Sequence, residues 1–94
     1  MDTHNDKTMA YSEIQAEISC RKAVVGAKQL RKALTSGLVH RVYLARNADP
    51  AITEPLEAMC QSNHVDYAWV RSMTDLGHAC GIEVGAAAAA AVNL

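Results

Sequence analysis

The chain has 94 residues, of which 50% are hydrophobic and 20% are charged, a composition that indicates one small globular domain and excludes a disordered chain. Its formal net charge is −1, and this average argues against a strongly basic nucleic-acid-binding protein. The longest apolar run, residues 86–92, is too short to span a bilayer as a helix.

Hydrophobic period, caps and turn residues predict helices and strands that alternate along the chain. The predicted order is helix, strand, helix, strand, helix, strand, helix, strand, at about residues 13–20, 22–26, 27–35, 38–45, 53–64, 65–70, 73–79 and 83–94. Ser12 stands three positions before Gln15, and Ser72 stands three positions before Asp75. Each pair has the form of a helix-capping pattern. Pro55 interrupts the third helical pattern, so its regular part is expected to begin with Thr53 as the cap.

The last segment, "EVGAAAAAAVNL", is ambiguous because alanine prefers helices. The alternation of strands with helices nevertheless requires a final strand, and small side chains suit a strand packed between two layers. We therefore predict an α/β fold, a three-layer α/β/α sandwich around a small four-stranded mixed sheet. We expect residues 12–94 to form this single domain, preceded by a flexible polar tail at residues 1–11.

Charge is unevenly distributed along the chain. Residues 1–20 hold four acids and one lysine, residues 21–46 hold seven basic residues and no acid, and residues 47–94 hold six acids and one arginine. The net charges of the three segments are therefore −3, +7 and −5. The middle segment is a candidate for an electrostatic binding surface, although a solvated charged face explains the same pattern.

The cellular compartment is indicated by the cysteines and the N-terminus. Cys20, Cys60 and Cys80 are odd in number, widely spaced and without a CxxC pair, which indicates neither a disulfide framework nor a zinc ribbon. The first twelve residues carry acids and no apolar segment, which excludes an ordinary signal peptide. We expect a cytoplasmic protein without a membrane segment.

The junction between the first strand and the second helix is the candidate binding feature. A strand–glycine–helix junction at Gly26 presents free N–H groups and the positive end of a helix dipole, which favour anions. P-loop and dinucleotide motifs are absent. Lys28, Gln29 and Lys32 lie on the first turn and a half, where side chains can reach base edges while the junction meets a phosphate backbone. Solvated lysines are the alternative explanation.

The sequence offers no convincing catalytic or metal-binding pattern. His78 and Cys80 are two positions apart on a predicted helix, which suits neither a nucleophilic pair nor a metal site, and Cys80 is expected to pack in the core. Glu83 lacks a partner carboxylate or an oxyanion donor in the sequence pattern. We expect no enzymatic activity, no metal and no cofactor.

Two stretches, "VVGAKQLRKAL" and "MTDLGHACGIEVGAAAAAAV", together resemble the superfamily of kink-turn RNA-binding ribosomal proteins of the L-seven-Ae and L-thirty-e types. The resemblance is strongest to the small bacterial YbxF-like branch, and it covers about residues 13–92, including the Asp49-Pro50 turn. It implies the same three-layer sandwich and a non-catalytic RNA-binding protein, ribosomal or ribosome-associated. The implied partner is ribosomal RNA or a structured messenger leader that contains a kink-turn.

The resemblance also implies a binding site. The family signature, Gly-x-Asn-Glu-x-x-Lys, is matched by Gly26, Lys28, Gln29 and Lys32, which would meet the sheared G·A pairs. The loop at residues 82–84 matches the family element that lies against a flipped-out nucleotide. The expected RNA-binding residues are Gly26, Ala27, Lys28, Gln29, Arg31, Lys32, Arg46, Ile82, Glu83 and Val84.

Two departures from the archaeal signature affect this expectation. Lys28 replaces Asn and Gln29 replaces Glu, and a lysine offers no acceptor, so we expect looser base selectivity and a strong dependence on salt. A protein-interaction adaptor on the same scaffold is the alternative function. A small phosphate-ligand enzyme is a third, but it lacks a catalytic pair. We expect a monomer, with ribosomal proteins as further candidate partners.

Overall fold

The structure is a computed structural model that describes residues 8–93. Within this range five strands and four helices follow in the order β1 (Thr8–Met9), α1 (Tyr11–Ser19), β2 (Lys22–Val25), α2 (Ala27–Leu34), β3 (Val39–Ala45), α3 (Pro50–Ser62), β4 (Tyr67–Val70), α4 (Met73–Ala79) and β5 (Ala88–Val92). The strands form one sheet in the order β1-β4-β3-β5-β2. β1, β4 and β3 are parallel, whereas β5 is antiparallel to both of its neighbours, β3 and β2.

The helices cover both faces of the sheet, and each face has its own apolar core. On one face, Ile14 of α1 and Leu76 of α4 pack in a cluster around Tyr43 of β3. On the other face, Leu30 of α2 and Leu56 of α3 belong to a second cluster. The expected three-layer α/β/α sandwich is therefore confirmed.

The alanine run forms the strand β5, as predicted. Residues 88–91 are fully buried and alternate between the two cores. Ala89 lies opposite Tyr43 and Ala90 lies opposite Val42 in the antiparallel register with β3. Larger side chains on β5 would collide with these neighbours, so alanine allows helices to pack on both faces of a strand near the middle of the sheet.

The sheet has five strands rather than the predicted four. Thr8 and Met9 pair in parallel with Trp69 and Val70 of β4, and Met9 is buried in the core. Two residues are too few to show a hydrophobic period, so the sequence pattern does not reveal β1. The predicted flexible tail at residues 1–11 thus overlaps β1 and the start of α1, and its first seven residues lie outside the described range.

The predicted start of α1 is also wrong. The helix begins at Tyr11, two residues earlier than expected, and its cap is Ala10 rather than Ser12. The Ala10 backbone N–H donates to Glu13 Oε1 at 3.0 Å. The Glu13 carboxylate therefore accepts from one of the free N–H groups at the helix start. The sequence pattern assigns this capping role to Ser12 and Gln15 instead.

The third helix likewise begins earlier than predicted. Asp49 is the cap of α3, and its Oδ1 accepts from the Ala51 N–H at 2.9 Å. Pro50 occupies the first helical position, where its fixed φ favours a helix. Thr53 is a buried residue inside α3, not its cap. α3 continues through Pro55, which supplies no backbone N–H to the helix.

A polar network ties α1 to the sheet. The Tyr43 hydroxyl donates to Glu17 Oε1 of α1. Arg41 Nε lies 3.2 Å from the same carboxylate oxygen, an ion pair without hydrogen-bond alignment. Burial, and then the hydrogen bond to Glu17 and the charge of its carboxylate, raise the pKa of Tyr43. The network therefore favours a protonated Tyr43.

We predict that Tyr43→Phe lowers the free energy of unfolding by about 1 kcal/mol at neutral pH, because Glu17 loses one hydrogen bond. The raised pKa gives a second signature. The contribution of the Tyr43 proton is complete below the ordinary tyrosine pKa of 10.0 and is lost as the pH rises above it, by about 1.4 kcal/mol per pH unit. The Phe variant should show a flatter alkaline limb in denaturant unfolding.

The control is Tyr11→Phe, because Tyr11 is exposed and lies outside this network. At neutral pH it should stay within about 0.5 kcal/mol of the parent protein. Equal alkaline slopes for Tyr43→Phe and the parent would contradict the assignment.

Candidate nucleic-acid interface

One end of the sheet gathers the ends of several strands. The Gly26 N–H, directly after β2, donates to Ala88 O of β5 at 3.1 Å. The Ala45 N–H at the end of β3 donates to Ala87 O at 3.0 Å, and the Arg46 N–H donates to Val70 O at the end of β4 at 2.8 Å. We call this end, where β2, β3 and β4 finish and β5 begins, the junction end.

The first turn of α2 is basic and uncapped. Gly26 precedes it with φ +100°, a conformation that favours glycine, and provides no capping side chain. Lys28 lies in this turn, and no acid does. By contrast Asp49 caps α3, Ser72 caps α4 and Glu13 lies in the first turn of α1. Within residues 8–93, α2 is thus the helix whose positive end lacks both a cap and an acid, and it favours an external anion.

The loop before β5 is held against α4. Met73 of α4 accepts from the Ala86 N–H at 3.0 Å through its carbonyl, and Gly77 accepts from the Ile82 N–H at 3.0 Å. A Cβ at Gly77 would lie 2.1 Å from the Val84 carbonyl oxygen, so only glycine permits this approach. The loop therefore has a fixed position beside the junction end.

This loop presents an apolar side chain to solvent. Val84 is 70% exposed, the largest exposed fraction among the exposed large hydrophobic residues of the described chain. Glu83 is also exposed, whereas Ile82 is half-buried against the core below α4. An exposed valine on a fixed loop can cover an apolar ring face of a ligand.

The expected site residues fall into three groups. Gly26, Ala27, Lys28 and Gln29 form the start of α2, and Arg31 and Lys32 follow one turn later; the four charged or amide side chains among these six are exposed. Residues 82–84 lie in the loop before β5, and Arg46 follows β3. The start of α2, the loop and Arg46 all lie at the junction end, while Arg31 and Lys32 extend the basic surface along α2.

The basic segment at residues 21–46 does not form one surface. Lys22 begins β2 opposite Val92, so it lies at the far end of the sheet from Gly26. Arg41 pairs with Glu17, and Arg21 Nε donates to Asn93 Oδ1 at 3.1 Å. The expectation that the whole segment forms one electrostatic binding surface is therefore too simple. Strands β2 and β3 place their first basic residues toward the end of the sheet opposite the junction end.

Sequence patterns miss three residues that support this end of the molecule. Asn47 Oδ1 accepts from the Met73 N–H at 2.9 Å and links the β3–α3 loop to α4. Thr8 Oγ1 accepts from Arg46 Nε at 2.7 Å, and the Arg46 guanidinium carbon lies 5.5 Å from the centroid of the Trp69 ring. Trp69 is the only tryptophan of the chain, and this could have drawn attention to it from the sequence alone. Nothing in the sequence distinguishes Asn47 or Thr8 in the same way.

The described residues give little basis for other chemistry. Burial raises the pKa of the Cys80 thiol, which disfavours the reactive thiolate, and the side chain is half-buried against the core as expected. Among residues 8–93 there is no group of three or more His, Cys, Asp or Glu residues suited to a metal ion. None of the helices in this part of the chain has the length and apolar character needed to cross a membrane.

Comparisons with known proteins agree with this architecture. The model of the ribosomal protein L7Ae/L30e/S12e/Gadd45 family matches residues 8–94. The chain belongs to this family. The resemblance drawn from the two sequence stretches is thereby confirmed, including its YbxF-like branch.

Individual relatives in the family are bacterial proteins of similar length. An "RNA-binding protein" of Bacillus pumilus is 42% identical over 82 residues, which cover 87% of this chain and 96% of the relative. The "RNA-binding protein YbxF" of Geobacillus stearothermophilus is 39% identical over 82 residues, with the same two coverages of 87% and 96%. The solved "Giardia lamblia 15.5kD RNA binding protein" superimposes with a TM-score of 0.80 at 24% identity, covering 100% of this chain and 85% of that chain. This last likeness supports the fold alone.

We predict that Gly77→Ala lowers the free energy of unfolding by about 2 kcal/mol, because the new methyl group must displace the Val84 carbonyl. Denaturant unfolding measures the loss. The control is Thr74→Ala on the exposed side of α4, which should stay within about 0.5 kcal/mol of the parent. Equal stability of the Gly77→Ala variant and the parent would show that the loop does not pack as described.

Proposed function

We propose that this protein is a non-catalytic RNA-binding protein that recognises kink-turn RNA through the junction end. The observation that carries the proposal is the hydrogen bond from the Gly26 N–H to Ala88 O. It places the uncapped basic start of α2 beside the strand that follows the 82–84 loop. The names of the bacterial relatives, which describe RNA-binding proteins, support the same molecular function.

The start of α2 meets the sheared G·A pairs in this proposal. A regular A-form duplex has a major groove too narrow for side chains, whereas a sharp kink opens it. Lys28, Gln29 and Lys32 then reach base edges, and the backbone N–H groups of the first helical turn meet a phosphate. A Cβ at Gly26 would meet no neighbouring atom, so glycine is required here for the φ of +100° and not for space. The lack of a side chain also leaves the end of the helix accessible to a ligand.

The other site residues contact the RNA outside the G·A pairs. Val84 and Ile82 cover the base of the flipped-out nucleotide, with Glu83 at the edge of the same loop. Arg31 and Arg46 neutralise phosphates, and Ala27 allows close approach of the α2 backbone. Because Lys28 offers donors only, base selectivity is looser than with Asn, and affinity depends strongly on phosphate contacts and therefore on salt.

In the cell, we propose that the protein acts as a monomer in the cytoplasm, on ribosomal RNA or a structured messenger leader. The family description, which names ribosomal proteins, supports this proposed association with the ribosome. The protein-interaction adaptor is the alternative, because the same exposed loop and basic helix could receive an acidic protein surface.

The direct test is a titration of the full chain with a short kink-turn RNA and with the same RNA in which Watson–Crick pairs replace the tandem G·A pairs. Each titration is made at two salt concentrations. We expect tight binding to the first RNA and at least tenfold weaker binding to the second, a difference of about 1.4 kcal/mol. Equal affinities that both vanish at high salt would leave a purely electrostatic interaction and contradict kink-turn recognition.

Lys28→Ala should weaken binding to the kink-turn RNA by about threefold to tenfold without changing thermal stability, because Lys28 is exposed at the start of α2. Lys22→Ala is the matched control, since it removes the same charge from an exposed residue at the opposite end of β2. It should retain the affinity of the parent within about twofold. An equal loss in both variants would mean that net charge, not the start of α2, determines binding.

Val84→Ser should weaken binding by about threefold to tenfold to RNA with the flipped-out nucleotide, and by less to RNA that lacks this nucleotide, because the apolar cover is lost. Leu38→Ser is the control, since Leu38 is 50% exposed and precedes β3 at the far end of the sheet. If Val84→Ser behaves as Leu38→Ser on both RNAs, the loop does not contact the nucleotide.

A further inference from the structure

The side chain of Arg46 contacts Thr8 and Trp69, and no sequence motif identifies either contact. Its Nε donates to Thr8 Oγ1 at 2.7 Å, and its guanidinium carbon lies over the Trp69 ring, 5.5 Å from the centroid. A cation at this distance from a tryptophan face is attracted by the ring quadrupole. The side chain is exposed overall, so these contacts orient it at the surface rather than bury it.

The three residues form a row across neighbouring strands. Thr8 of β1 lies directly opposite Trp69 of β4 in the parallel register. Arg46 follows β3, and its backbone N–H donates to Val70 O, the residue after Trp69. The row therefore crosses β3, β4 and β1 at the junction end, on the side of β5 that is away from β2 and Gly26.

The spacing of the strands gives the row its reach. β3 and β2 are separated by β5, which places them about 10 Å apart in the sheet, and β1 lies two strands further on. Arg46 is thus well separated from the start of α2. A ligand that touches both must be extended along the junction end, as a kinked polynucleotide is.

We propose that Trp69 and Thr8 are positioning residues that orient the Arg46 guanidinium toward the phosphate backbone of the RNA, forming a second anchor beside α2. This inference rests on the proposed function. The anchor binds phosphate oxygens, which carry no sequence information, so it fixes the orientation of the RNA on the protein.

The chemistry of arginine suits this arrangement. A guanidinium is planar and directs its donors outward in one plane, so stacking one face on an indole does not block its edge. The hydrogen bond from Nε to Thr8 fixes the rotation of that plane. A pre-oriented side chain loses less conformational entropy when it binds a phosphate than a mobile one does. Trp69 and Thr8 therefore increase affinity without touching the RNA.

The test is a double-mutant cycle on affinity for the kink-turn RNA, made with the full chain. Trp69→Leu and Thr8→Val should each weaken binding by about twofold to fivefold. In a background of Arg46→Ala, the same two substitutions should have no further effect, because they act through Arg46. Trp69→Phe should give an intermediate loss, since phenylalanine retains a weaker ring face.

The salt dependence separates positioning from charge. Arg46→Ala should reduce the slope of log affinity against log salt by about 0.7 to 0.9, the loss of one phosphate contact. Thermal unfolding of each variant checks the fold, and if Trp69→Leu does not fold, Thr8→Val decides the question because Thr8 is exposed on a short edge strand.

Two outcomes would overturn the inference. Folded Trp69→Leu and Thr8→Val variants with the affinity of the parent would show that the orientation of Arg46 does not matter. Losses that persist in the Arg46→Ala background would show that the two residues act independently of Arg46. Failure of the parent to prefer the kink-turn RNA would instead refute the proposed function itself, and the two failures are therefore distinguishable.

Discussion

The antiparallel direction of β5 is the constraint on which the rest of the molecule depends. Because β5 runs against both β2 and β3, the loop that precedes it arrives at the same end of the sheet where the other strands finish. The hydrogen bonds from the Gly26 and Ala45 N–H groups to Ala88 and Ala87 fix this meeting. A parallel β5 would carry the loop to the opposite end, away from α2. The buried alanines permit helices on both faces of β5 and are a requirement of the core.

The junction end carries two features that are unfavourable in the protein alone. Asp49 and Ser72 cap two helices with accepting side chains, whereas α2 begins with a glycine and carries Lys28 in its first turn. A cation at the positive end of a helix dipole is unfavourable by a few tenths of a kcal/mol to about 1 kcal/mol. Val84 adds an exposed apolar surface on a loop that Gly77 holds in place. In the proposed complex, a phosphate would offset the first feature and a base would cover the second.

Much of this arrangement follows from sequence patterns, and the exceptions have physical reasons. The alternation of elements predicts β5 as a strand against the helix propensity of alanine, and the small side chains of residues 86–91 suit a strand packed between two layers. The Ser72 cap is confirmed by the bond from the Asp75 N–H to its hydroxyl. β1 was not predicted, since two residues have no period, and α3 began early because Asp49 and Pro50 together favour a helix start.

The sequence predicts the segments of the candidate site but not the residues that hold those segments in place. The start of α2 and the loop before β5 carry recognisable patterns, whereas their proximity depends on strand order. The contacts of Arg46 with Thr8 and Trp69 join residues far apart in the chain. Charge along the sequence also overstated the basic surface, because Arg21 and Arg41 are used within the fold.

The most direct test of the central claim is to follow backbone amide signals of the full chain by NMR as kink-turn RNA is added. We expect the largest changes at residues 26–29, at Arg46 and at residues 82–85, which all lie at the junction end. Residues 35–38 and 63–66, which connect elements at the opposite end of the sheet, should change little. Largest changes at that opposite end, or no changes at residues 26–29 and 82–85 under conditions where the RNA binds, would contradict the account.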